Sequence, residues 1–168
     1  RDIRAHEPKT GQRRSEQQSA YQLNEIAAAY FRKVLSSPQG VEARAYLERR
    51  GLTPQSIDAF ELGLSPPDGE SLNTHLLTSG YSPQQIAQAG LVHSSDNGWT
   101  RDLFRGRLMI PIRNSQGELG GFGGRSLDGS SPKYLNSPRT PVFDKGRILY
   151  ALHLAKDIFG RPRQRVVK

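Results

Sequence analysis

The hydrophobic period changes once along this chain, near Gly90, and that change limits the fold more than any other feature. Before it, Tyr21, Leu23, Ile26, Ala27, Tyr30, Phe31, Val34 and Leu35 recur at three- and four-residue steps, predicting an amphipathic helix from about Gln17 to Ser36. Pro38 and Gly40 punctuate, and a second helix, about Val41 to Arg50, stops at Gly51, the residue type favoured just past a helix end. Thr53-Pro54 and Ser82-Pro83 repeat one device, a hydroxyl N-cap followed by proline in the first turn. They predict short helices at Pro54–Phe60 and Pro83–Ala89, and Leu72, Leu76 and Leu77 suggest another at about Glu70–Ser79. After Gly90, Gly98-Trp99-Thr100 and Arg107–Ile112 read as strand, Asn114–Gly117 as a turn, and Glu118–Phe122 as the returning strand. Pro111 has no backbone donor, which puts its strand at an edge or a bulge. A short extended piece is expected at Lys133–Leu135, a last helix at about Gly146–Phe159, and a new strand opening at Arg165–Val167. Helices followed by a small sheet give an α+β fold: a helical N-terminal half packed on a small, mainly antiparallel sheet with a C-terminal helix.

Residues 1–16 are polar and basic with almost no apolar period, and read as a flexible linker or arm ahead of a single folded unit at 17–164. Residues 165–168 look like a strand cut short, and the chain begins without Met, so it reads as a piece of a longer protein. There is no apolar run of membrane-spanning length, and the N-terminus does not resemble a signal peptide. The absence of cysteine excludes disulfides and thiolate metal sites within these residues and fits a cytoplasmic protein. His6, His75, His93 and His153 show no ligand spacing, and no Asp-x-Asp pair is present to hold magnesium.

Charge is unevenly distributed. Residues 99–168 hold 14 Lys plus Arg against 5 Asp plus Glu, whereas residues 1–98 hold 10 against 11. An excess of this kind on one half points to a polyanionic partner. It lies on Gly- and Pro-rich sequence rather than an amphipathic helix, which disfavours a membrane surface. Within that half, Arg105 and Arg107 flank Gly106 at strand spacing and can hold consecutive phosphates; an exposed basic edge that discourages strand pairing is the alternative. The cluster Gly120-Gly-Phe-Gly-Gly124 lets backbone approach a ligand, or serves a twisted strand end, and Arg125 emerges from it. It matches neither a phosphate loop nor a dinucleotide fingerprint. Lys133, Tyr134 and Asn136 supply a cation, a ring and an amide: alternation puts Tyr134 and Asn136 together to contact one nucleotide, with Lys133 on the backbone. Arg50 ends its helix, where a cation also favours the negative helix terminus. Arg105, Arg125, Lys133 and Lys145 are expected to form one continuous track for a strand.

Several strings then occur in a telling order: Tyr46-Leu-Glu-Arg-Arg-Gly-Leu52, Phe60-Glu-Leu-Gly63, Phe104-Arg-Gly-Arg-Leu-Met-Ile-Pro-Ile112, Gly121-Phe-Gly-Gly-Arg125, Pro132-Lys-Tyr-Leu-Asn-Ser-Pro-Arg-Thr140, Phe143-Asp-Lys145 and Leu149-Tyr150. Together they resemble bacterial replicative DNA primase of the DnaG type, over the chain from about Tyr21 onward. The resemblance implies the N-terminal lobe of an RNA polymerase core, set against a Toprim catalytic subdomain, with Arg50, Arg105, Arg107, Arg125, Lys133, Tyr134, Asn136 and Lys145 lining the nucleic-acid track. It implies a DNA-directed RNA polymerase, a nucleotidyltransferase that makes primers at replication forks in the bacterial cytoplasm. Its partners would be single-stranded DNA, RNA–DNA primer duplex, ribonucleoside triphosphates and, through a C-terminal domain absent here, the replicative helicase. Magnesium would sit on Toprim acids expected just after Val167, and zinc in a ribbon that precedes this region in the family; neither lies in this sequence. No catalytic or metal residue is therefore assigned, and the piece alone is expected to be inactive and monomeric. A non-enzymatic single-strand-binding module is the alternative.

Overall fold

The computed structural model describes the backbone of residues 2–160 and the side chains of residues 11–160. Helix α1 runs Asp2–Ser36, followed by a 3-10 turn at Pro38–Gly40, α2 at Val41–Arg49 and α3 at Pro54–Ala59. The start of α1 departs from the sequence expectation, since helix covers residues 2–16 where a linker was read. Once the apolar stretch after Gln17 nucleates the helix, each further residue adds a backbone hydrogen bond at little extra cost. Tertiary contacts reach that polar end as well: Gln88 Nε2 donates to Glu16 Oε2 (3.3 Å) and Gln17 Nε2 to the Pro141 carbonyl (3.3 Å). The local signals held elsewhere. Gly51 has φ 85°, Thr53 Oγ1 accepts from Ser56 N at 3.1 Å, and Ser82 and Gln85 form a reciprocal capping box.

After β1 (Gly63–Leu64) come α4 (Ser71–Thr78), α5 (Pro83–Gln88), β2 (Val92–Ser94), β3 (Thr100–Asp102), β4 (Arg107–Arg113), β5 (Leu119–Ser126), β6 (Tyr134–Asn136) and α6 (Lys145–Phe159). The main sheet is antiparallel in the order β1-β4-β5-β6, and β2 and β3 form a separate hairpin. Neither β1 nor β2 is foreshadowed in the sequence; both are too short for a period to show. Pro111 sits in an interior strand, yet β1 pairs only with Leu108 and Met109, so the proline lies past its reach. The register shifts one step later, between Ile112 and Arg113. The strand expected at Arg165–Val167, and with it the division at residues 165–168, falls outside the described residues.

Strand alternation divides β4 between two cores. Leu108, Ile110 and Ile112 join Leu47, Leu62, Phe143, Ala151 and Phe159 on the face covered by α2 and α6. Met109 joins Phe31, Leu72, Leu76, Phe104 and Phe122 on the face covered by α1, α4 and α5. Phe122 anchors the second core, with its ring edge-on to Phe31 at 5.4 Å and to Phe104 at 6.2 Å. Truncating such a fully buried ring to Ala costs about 3–5 kcal/mol. The α+β class stands, with the sheet held between helices on both faces. Among the described residues no helix is long and apolar enough to cross a membrane.

Candidate nucleic-acid interface

The glycine cluster has a packing role in the structure. A Cβ at Gly121 would lie 2.9 Å from the Phe143 ring, and one at Gly123 would lie 3.1 Å from the Ala151 carbonyl oxygen. These residues are bare so that α6 and the segment before it can press onto β5, and that contact fixes where the neighbouring cations point. Arg125, at the end of β5, pairs across the ladder with Tyr134.

Arg107 starts β4 and points to the opposite face from Arg125, because its register partner is Ser126, one residue on. It is 4% exposed, and its Nη1 donates to the Lys133 carbonyl at 3.4 Å. Burial pushes its pKa below the usual arginine value; the Asp128 carboxylate opposes that shift and Arg105 adds to it. Arg105 is exposed and precedes the strand, separated from Arg107 by Gly106 at φ 61°. The expected pair of equivalent phosphate holders is thus one surface cation and one cation embedded beneath it. Both line an open cleft of about 530 Å³ together with Arg101, His93 and the loop at Asp128–Pro132. Nothing in the sequence reading singled out Arg101; its one signal was its place in the basic half. A neighbouring depression is lined by Arg125 and Lys133 and shares Ser130 and Ser131 with the cleft. In that loop Asp128 Oδ1 accepts hydrogen bonds from the Ser130 backbone and hydroxyl, which hold its carboxyl below the usual range.

Arg125 and Arg50 meet around a residue the sequence reading did not choose as a site. Their guanidinium carbons stand 5.2 and 4.9 Å from the centre of the Tyr46 ring, with that of Arg49 at 6.0 Å. The Tyr46 hydroxyl donates to the Phe159 carbonyl at 3.0 Å, fixing the ring to the end of α6. A ring face partly offsets the mutual repulsion of three cations in a way no carboxylate does here. Tyr46 could have been noticed as an aromatic one turn ahead of two arginines, but that spacing is common.

Tyr134 and Asn136 depart from expectation. They share a face of β6, as alternation requires, but that face lies against α6 rather than open to a nucleotide. Tyr134 packs on the first core with Lys156 Nζ 6.0 Å from its ring centre, and Asn136 Nδ2 donates to the Ile148 carbonyl at 3.3 Å. Asn136 Oδ1 and Arg125 Nε are buried without a hydrogen-bond partner. Lys145 is exposed in the first turn of α6, one turn before Ile148. The eight residues therefore form neighbouring groups along one end of the sheet and down β6, with Lys145 beyond the main cluster. Only Arg105, Lys133 and Lys145 of the eight are fully surface groups. Among the described residues, no three His, Cys, Asp or Glu side chains converge as a metal site would require, so the residues present do not fit magnesium or zinc.

Residues 30–156 match the family described as DNA primase catalytic core, N-terminal domain. The DNA primase of Deinococcus radiodurans is 45% identical over 148 residues, covering 88% of this chain and 25% of that protein. The DNA primase of Escherichia coli K12 is 38% identical over 154 residues, covering 92% of this chain and 26% of that protein. A solved DnaG primase catalytic domain bound to single-stranded DNA superimposes with a TM-score of 0.72 at 38% identity, over 83% of this chain and 46% of that one. The RNA polymerase domain of Mycobacterium tuberculosis DnaG, in complex with double-stranded DNA bearing a 6-nucleotide overhang, gives a TM-score of 0.71 at 34% identity, over 76% of this chain and 40% of that one. The chain spans about a quarter of the length of these curated relatives.

Proposed function

The chain belongs to the family of DNA primase catalytic cores, as an N-terminal domain, and on that premise we propose that it is the template-handling lobe of a primase. In this role the whole protein joins ribonucleoside triphosphates on a single-stranded DNA template at the replication fork, in the bacterial cytoplasm. The acids that would hold magnesium, the zinc ribbon and the helicase-binding region belong to segments outside this sequence. No chemical step is assigned to the residues present. Their contribution is positioning: Arg105, Lys133 and Lys145 meet phosphates of template or primer duplex, while Arg107 and Arg125 support that surface from beneath. Tyr134 and Asn136 act by holding β6 to α6, which sets the direction of Lys133.

The observation that carries this reading is the gathering of Arg101, Arg105, Arg107, Arg125 and Lys133 around one loop, Asp128–Lys133, at one end of the sheet. Titration of labelled single-stranded DNA across several salt concentrations tests it. Arg105→Ala and Lys133→Ala should each weaken binding and lower the salt slope by about one. Unchanged affinity and slope in both variants would remove the proposed role.

A further inference from the structure

The β2–β3 hairpin carries the only tryptophan of the chain, Trp99, and half of its surface is exposed. A ring of that size usually contributes to a core, and this one belongs to neither. Its neighbour is a cation: the Arg101 guanidinium carbon stands 5.7 Å from the ring centre. Arg101 also lines the cleft that holds Arg105 and Arg107, so it links the ring to the cationic surface. The two exposed arginines run side by side over Gly69, where an added Cβ would lie 3.3 Å from Arg101 Nε and 3.3 Å from Arg105 Cδ.

The hairpin is held in place. Asp102, 1% exposed, accepts from the Leu72 and Asn73 backbone amides at 3.0 and 2.9 Å, capping the start of α4. Its own amide donates to the Gly69 carbonyl at 2.8 Å, and the Leu103 amide donates to the Leu91 carbonyl at 3.0 Å. The turn is closed by Ser95 N donating to Trp99 O at 2.9 Å. Trp99 therefore sits on an anchored ribbon, next to a row of cations, with its ring available. Aromatic faces beside a cationic groove are how proteins hold bases without reading sequence.

We infer that Trp99 stacks on a base of a single-stranded polynucleotide whose adjacent phosphates are held by Arg101 and Arg105. The hairpin then extends the strand path outward from the cleft, given the strand-binding role proposed above. Because Trp99 is the only tryptophan, its emission reports the event directly. Titrating oligo-dT into the chain should quench that emission with the same midpoint as the anisotropy of a labelled strand. An oligonucleotide of abasic sites should bind more weakly and leave the emission unchanged. Trp99→Ala should lose about tenfold in affinity and Trp99→Phe about threefold or less, with circular dichroism unaltered in both. Arg101→Gln should lower the salt slope by about one. Anisotropy that saturates while Trp99 emission stays constant would overturn the stacking and leave strand binding intact. Quenching by the abasic strand equal to that by oligo-dT would also overturn it. No anisotropy change with either strand would instead remove the strand-binding role itself.

Discussion

The two ends of β4 use arginine in opposite ways. At its C-terminal end Arg113 is matched by acids: Nε and Nη2 donate to the two oxygens of Glu61 at 2.9 and 2.8 Å, and Nη1 and Nη2 reach Glu25 at 2.6 and 3.1 Å. Arg32 is the second partner of Glu61, at 3.3 Å, and the three ion pairs among the described residues all gather here. At the N-terminal end Arg101, Arg105, Arg125 and Lys133 have no carboxylate within 4 Å among the described residues; Arg101 stands beside the Trp99 ring, and Arg125 beside the Tyr46 ring with its Nη1 donating to the Ser126 carbonyl. One end closes its charges on itself and ties α1, the loop at Glu61 and β4 together. The other leaves its charges without an ion pair among the described residues. Net charge alone does not distinguish these uses; the placement of sixteen acids does.

Breaking the matched end should produce the largest effect on folding. Arg113→Met removes the cation that Glu61 and Glu25 share and leaves only Arg32 on Glu61; it should cost about 2–3 kcal/mol, read as a fall in Tm of roughly 5–10 °C. Affinity for single-stranded DNA should be unchanged in that variant, and a parallel loss of binding would show that the two ends are not independent.

A smaller effect sharpens the same point through pH. Hydrogen bonding to Arg113 holds the Glu61 carboxyl below its ordinary 4.5, with burial opposing and the charges of Arg113 and Arg32 adding to the depression. Its contribution is therefore present above about pH 4.5 and lost as pH falls through the lower folded-state value. Glu61→Gln should be less stable than the parent by about 1 kcal/mol at pH 7, and denaturant midpoints should converge toward pH 3. A constant difference across that range would assign the loss to geometry rather than charge. The backbone at Glu61 has φ 57°, which Gln shares at similar cost, so the substitution isolates the charge.

Tyr46 tests the unmatched end. Tyr46→Phe removes the hydrogen bond to the Phe159 carbonyl and keeps the ring beneath three arginines, so stability should fall by about 1 kcal/mol with binding retained. Smallest of all, Lys133→Ala should leave Tm within the equivalent of about 0.5 kcal/mol, since its side chain is exposed and its carbonyl, not its amine, receives Arg107. A large loss of stability there would mean the surface cations hold the fold as Arg113 does.

The sequence by itself determined the helices from α2 onward and the β4–β5 hairpin, but not the start of α1 or the short strands β1 and β2. Thr53, Ser82 and Gly51 act through atoms within a few residues of themselves, and the turn at Asn114–Gly117 forms where it was read, with Asn114 Oδ1 accepting from Gln116 N and Glu118 N. The strings from Phe104 to Lys145 also carried the family. Tertiary structure alone decided which charges face out. Alternation correctly placed Tyr134 beside Asn136, but only the docking of Phe143 onto Gly121 and of α6 onto Gly123 determined that this face is covered. Arg107 is buried and Arg105 is not because the chain turns at Gly106 before pairing begins, and Tyr46 gathers three arginines because α2 and the end of β5 meet across the core. Caps and turns are set by local hydrogen bonds, whereas the exposure of a cation is set by whatever the whole fold places above it.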